Sequence, residues 1–323
     1  MTSRSTWILG LTAMLVIVIG ISTGAEYRRI AILSAPAKRP VASRSAAAEA
    51  ADAVFWDTFH GGKYDRIQNA IDALAQAYVA TPNDAVTAGH LGWMHIWRIS
   101  ERSRLASAPA SITEDMLLAR RYFDESVRLN PSDARAMGFL ASAMMGEGSI
   151  QHDERLVRSG YFQMLDAITA WPAFNLFTAG YVVSGAPVGS SQFREGLEWE
   201  WRDLDACVGH PIDRAHPDFT ALMSQVKDVR ACLNTSIAPH NAEGFFLNMG
   251  DMLVKSGDWH TAQTMYANAK LLPEYATWPF APVIDERIRA AEQNVARFSG
   301  HDPNPRTGMM GDSALSCMAC HQR

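Results

Sequence analysis

"FLNMGDMLVKSGDWHTAQTMYANAKLLP", residues 246–273, decides the architecture of this chain. Phe246, Met249, Gly250 and Leu253 share one face at helical spacing. Gly257-Asp258-Trp259 separates that run from a second, in which Ala262, Tyr266 and Ala269 recur at helical intervals before Pro273. The small residues let two helices cross closely, the large ones fill the gaps between them, and the proline ends the second helix.

The same spacing recurs upstream. Ala70-x3-Leu74-x2-Ala77-x4-Pro82 is followed by Ala88-x2-Leu91-Gly92-x2-His95. After the insert "SERSRLASAPASITE" come Ala119-x3-Phe123-x2-Ser126-x4-Pro131 and Met137-x2-Leu140-Ala141-x2-Met144. These residues resemble the tetratricopeptide repeat, a helical hairpin of about 34 residues. The resemblance covers residues 60–145 and 243–274. His95 stands where an aromatic is usual, Pro273 comes one residue early, and the match weakens between residues 154 and 235 although helical spacing persists. The resemblance implies an all-α fold, a tetratricopeptide-like α-solenoid of helical hairpins, with a surface for a protein partner.

The chain ends in "SALSCMACHQR". Cys317-Met318-Ala319-Cys320-His321 is C-x-x-C-H, the attachment sequence of c-type haem. Two thiols at this spacing on a helical turn reach the two vinyl groups of one porphyrin, and the adjacent histidine falls under the iron. With 4 Cys and 10 His in 323 residues, the pattern arises by chance about 0.002 times per chain. The motif resembles that of the c-type cytochromes. That resemblance implies one covalent haem c, thioether links at Cys317 and Cys320, and His321 as proximal iron ligand. The distal ligand is expected from the tail, at Met309 or Met310, with His301 the weaker choice.

An uncharged apolar run from Trp7 to about Thr23 is long for a signal peptide and short for a spanning helix. Either reading exports the rest, which agrees with haem attachment on the exported side of the membrane. The expected organisation is a signal peptide or membrane anchor over residues 1–25, a linker over 26–53, a helical-repeat domain over 54–298 and a haem c segment over 299–323. Cys207 and Cys232, 25 residues apart, are expected to form a disulfide in an exported chain. Such a link contributes about 3–4 kcal/mol on a chain-entropy estimate.

A net charge of −5 gives no basic balance for nucleic acid. No catalytic triad, phosphate loop or paired carboxylates stand out, and the acidic residues read as solvated helix faces. The expected function is that of a periplasmic, membrane-associated monohaem cytochrome that transfers single electrons, its repeats docking a redox protein partner. The alternative is a haem-bearing scaffold or assembly subunit of a multi-subunit membrane complex. A haem-based sensor or peroxidase ranks third, because no acid–base residue for a peroxidase is evident. For the expected function no catalytic residue is required.

Overall fold

Short turns rich in proline and aspartate punctuate the helices. The turn Pro82-Asn83-Asp84 joins α2 (Ile67–Ala80) to α3 (Ala85–Ser100), and the Asp84 carboxylate accepts the N–H groups of Val86 and Thr87. Pro131-Ser132-Asp133 does the same between α4 (Ile112–Leu129) and α5 (Ala134–Gln151), where Asp133 accepts from Arg135 and Ala136. Asp153 and Ser190 cap α6 (Glu154–Ala170) and α8 (Ser191–Val208), and α7 (Pro172–Val183) starts at a proline. Each cap satisfies amide donors that a helix leaves open at its start.

The computed structural model describes residues 38–101, 111–233, 241–301, 308–310 and 315–322. The apolar run at residues 7–23 lies outside them, as does most of the insert after α3. Among the described residues there is no strand, and no helix is long and apolar enough to cross a membrane. Besides α1 (Ala46–His60), the chain adds α9 (Val229–Cys232), α10 (Ala242–Ser256), α11 (Trp259–Asn268), α12 (Ala281–Ala296) and the short α13 (Ser316–His321).

The fold is all-α, with helices packed as adjacent hairpins: α1 on α2, α3 on α4, α5 on α6, α7 on α8 and α10 on α11. The repeat pattern has a steric cause. A Cβ on Gly92 of α3 would lie 2.8 Å from the Phe123 ring of α4, and one on Gly250 of α10 would lie 2.2 Å from the Tyr266 ring of α11. Each pair is the pattern's small residue beneath its large aromatic. His95 keeps a flat ring at the aromatic position. It stacks on Tyr122, and its Nδ1 hydrogen-bonds Asp115 Oδ1 at 2.8 Å.

The hairpins continue through residues 154–208, as the helical spacing there led us to expect, although the repeat match is weak, because other residues make the close contacts. Asn175 of α7 is fully buried, and its amide donates to the carbonyls of Ala134, Ala167 and Trp171, tying three helices together. The linker expected over 26–53 stops earlier: Ser45 caps α1, and Ala48 and Ala51 are buried. Alanine has the highest helix propensity, and its small side chain permits close packing. The C-terminal segment packs into the body: Pro40–Arg323 forms one compact unit, and α13 packs on α3 and α10.

Two apolar clusters meet at α13. Cys317 and Met318 join the cluster of α1, α2 and α3, whereas Ala319 and Cys320 join the larger cluster of α7, α8, α10, α11 and α12. The Cys207–Cys232 disulfide, with Cα atoms 6.0 Å apart, ties α8 to α9.

Gly250→Ala should lower stability by about 1–3 kcal/mol, the usual cost of an extra methyl in a packed core. Urea denaturation measures this, and an unchanged midpoint would contradict the close crossing of α10 and α11.

Candidate functional site

The Cys320 carbonyl accepts the Asn241 N–H at 2.6 Å, and the Ala319 carbonyl accepts the indole N–H of Trp278 at 3.0 Å. The last carbonyls of a helix have no partner within it, so these two bonds anchor α13 to the chain that surrounds it. Close approach is possible because residue 244 is glycine: a Cβ there would lie 2.4 Å from Cys320 Sγ. Asn241 also caps α10 through the Gly244 N–H at 2.7 Å, so one turn both starts α10 and seats α13.

Cys317, Cys320 and His321 are all buried. Their side chains share one cavity of about 110 Å³, smaller than the usual small-molecule pocket. Its other walls are Trp93 and Ile96 of α3, Phe123 of α4, Phe139 and Ser142 of α5, and Phe177, Thr178, Tyr181 and Val182 of α7. The Ser142 hydroxyl donates to the Gly138 carbonyl and that of Thr178 to the Phe174 carbonyl, so both are engaged by their own helices. The His321 ring lies 4.7 Å from that of Phe59 and 5.2 Å from that of Trp93.

Burial pushes the Cys320 thiol well above its ordinary range, with Cys317, Glu200 and Glu243 adding to the shift. Cys320 therefore stays in its thiol form over the ordinary pH range. A thiol held protonated is a poor nucleophile.

A polar groove of about 210 Å³ adjoins the cavity and shares Trp93, Phe123 and Phe139 with it. Its charged groups are paired: His90 Nδ1 with Asp52 at 2.8 Å and Arg135 with Asp133 at 2.7 Å. Arg44 bonds Asp52 as well, and Asp84 at 2.9 Å.

Met309 and Met310 are buried, yet neither lines the cavity. Both belong to the C-terminal apolar cluster. The Met310 N–H donates to Asp251 at 2.6 Å, and Arg287 donates to the Gly308 carbonyl at 3.2 Å. The His301 side chain lies outside the described residues.

Several acidic residues are buried rather than solvated. Asp251 accepts the Tyr266 hydroxyl at 2.7 Å and the Arg287 guanidinium at 3.0 Å, and burial still raises its carboxyl. Glu200 accepts the Asn248 amide at 2.9 Å, and among the described residues its Oε2 has no hydrogen-bond partner. Burial holds Glu200 well above the carboxylate range, and the Asp203 charge adds to this. Asp203 is raised by burial too. The one sequence signal was the placing of Glu200 between Trp199 and Trp201, both buried.

Compared with protein-family models, curated proteins and solved structures, the chain matches none.

Glu200 gives a prediction with a defined sign. Its folded pKa lies above that of the unfolded side chain, about 4.3. Between the two values the folded state binds more protons, so stability is greatest below the unfolded value and falls as pH rises toward the folded one. Glu200→Gln should flatten that fall above about pH 4.3, while Asp203 preserves part of it. Urea midpoints measured across the pH range test this, and parallel profiles for the two proteins would refute it.

Proposed function

We propose that this chain is an exported monohaem c-type cytochrome that exchanges single electrons with a protein partner docked on its helical repeats. The observation that carries this reading is the shared apolar cavity: Cys317, Cys320 and His321 all line it, and five aromatic residues complete its walls. A porphyrin is a large apolar disc; the donor set and the apolar walls match it in chemistry, and the space of about 110 Å³ would have to widen to take it. When bound, the haem would supply the Fe(III)/Fe(II) couple.

The protein's residues have separable tasks on this reading. Cys317 and Cys320 would hold the macrocycle through thioether links, and the His321 imidazole would bind its iron. Phe59 and Trp93 hold the imidazole in place by ring contact. Phe123, Phe139 and Phe177 exclude water and lower the local dielectric, a lever by which a protein sets a haem potential. Trp93, Phe123 and Phe139 also face the polar groove, which offers a partner an approach to the same wall.

The apolar run at residues 7–23 and the Cys207–Cys232 disulfide support export to the periplasm, with the run as signal or membrane anchor. The alternative, a subunit of a multi-subunit membrane complex whose neighbour completes the haem pocket, is less well supported. Four helices of this chain already wall the cavity opposite α13.

Covalent attachment is the direct test. Protein matured in cells that export it should keep its haem through a denaturing gel, give a pyridine-haemochrome spectrum of thioether-linked haem, and lose both when Cys317 and Cys320 are changed to Ala. A colourless parent protein would refute the proposal.

A further inference from the structure

The back of the cavity wall carries a further consequence, which rests on the haem reading above. We infer that Glu200 takes up a proton when the site is reduced and releases it when the site is oxidised, so that electron exchange with the partner is coupled to proton exchange with solvent.

Two helices fix the placement. On α10, Gly244 lies against Cys320, where a Cβ would come within 2.4 Å of Sγ, and Asn248 donates to Glu200 Oε1 at 2.9 Å. Residues 244 and 248 share a face, so the carboxyl sits one turn, about 6 Å along the helix, from the Cys320 contact. On α7, Phe177, Thr178, Tyr181 and Val182 face the cavity, and helical spacing turns Gly180 away from it. A Cβ on Gly180 would lie 2.5 Å from Glu200 Oε1. Glu200 is thus pressed against the rear of the wall, fully buried.

Charges held this close inside a protein interact strongly, because neither water nor salt screens them well. The titratable groups around Glu200 are Tyr181 on α7, Asp203 one turn along α8, Glu243 at the start of α10 and Cys320 on α13. Further along α10, Asp251 is engaged by Arg287 at 3.0 Å, and Lys255 donates to the Ser184 carbonyl at 2.9 Å. Burial and Asp203 favour the protonated carboxyl of Glu200, and the Glu200 charge acts in turn on Cys320, so the two positions are coupled. Asp203 and the half-buried Asp228, whose charge acts on Asp203, lead from Glu200 toward α9 and give a proton a row of carboxyls to follow.

The step balances. One electron from a protein donor takes Fe(III) to Fe(II), and one proton from solvent forms an O–H bond on the Glu200 carboxylate; oxidation reverses both. Reduction removes one positive charge, which favours the protonated carboxyl. The reduction potential therefore falls as pH rises through the Glu200 titration, above the ordinary carboxylate value of about 4.3. One proton per electron sets the limit at about 59 mV per pH unit, the potential equivalent of a tenfold change.

The haem-loaded full-length protein tests this. Pyridine haemochrome first establishes covalent haem; potentials are then measured with mediators across the pH range in which the protein stays folded. The parent potential should fall within one pH window, and Glu200→Gln should be flat there. Asp203→Asn should keep the fall but move it to lower pH, because one neighbouring charge is gone. Circular dichroism reports whether each variant is folded. Redox-difference infrared spectra read the same step in the parent without a Glu200 variant: the carbonyl stretch of a protonated carboxylic acid should grow on reduction inside that window. A potential independent of pH, a fall that persists unchanged in folded Glu200→Gln, or no carboxylic acid signal on reduction overturns the inference and leaves the covalent haem standing. Absence of covalent haem overturns both readings.

Discussion

The structure depends on a helix of six residues, Ser316–His321, held between two apolar clusters that have few other residues in common. A helix so short is not stable in water by itself, because the cost of its first turn is recovered only over longer runs. Its order comes from what surrounds it: the Asn241 amide and the Trp278 indole on its last carbonyls, and Gly244 beneath Cys320. Cys317 and Met318 face the first hairpins, Ala319 and Cys320 the last ones. The three motif side chains are thus positioned by residues from both ends of the repeat body.

Polar groups buried around this wedge are arranged so that apolar packing does not stand alone. Asp251 gathers Tyr266, Arg287 and the Met310 amide, which fixes the 308–310 turn against α10 and α12. Asn175 joins α5, α6 and α7 through three carbonyls. Such directional bonds specify one arrangement of helices where apolar contacts would allow several. Not every buried polar atom is engaged among the described residues: Asn175 Oδ1 and Glu200 Oε2 accept no hydrogen bond. The buried Glu200 carboxyl receives one amide bond and sits beside the raised Asp203, so its protonated form is favoured.

The hairpins were legible because their cause is local. Gly92 under Phe123 and Gly250 under Tyr266 are steric pairs that recur at fixed spacing, and the proline and aspartate turns between helices mark boundaries. Where a different contact does the same task, as Asn175 does in α7, the pattern fades while the architecture persists. The motif residues were legible as chemistry, yet their setting was not. That α13 folds back into the body depends on Asn241 and Trp278, which are 79 and 42 positions before Cys320 and carry no signal of the contact. Buried Glu200 and Asp251 were hidden for a related reason: on a helix, an acidic residue has the same spacing whether its face meets water or another helix.

Burying the motif changes what a partner would have to recognise on the proposed reading. A haem presented on a loose terminal segment exposes its edge and needs a neighbour to complete its pocket. Here the cavity is walled by α3, α4, α5 and α7 of the same chain, and the reactive centre would be reached through the layer of Trp93, Phe123 and Phe139. The face beyond that layer is a groove whose charges pair internally, Asp52 with His90 and Asp133 with Arg135. Paired charges leave little net field for long-range steering. Recognition at this groove would therefore rest on shape and short-range contact with the first helices of successive hairpins, and the repeats would serve both as the wall of the haem pocket and as the surface a partner meets.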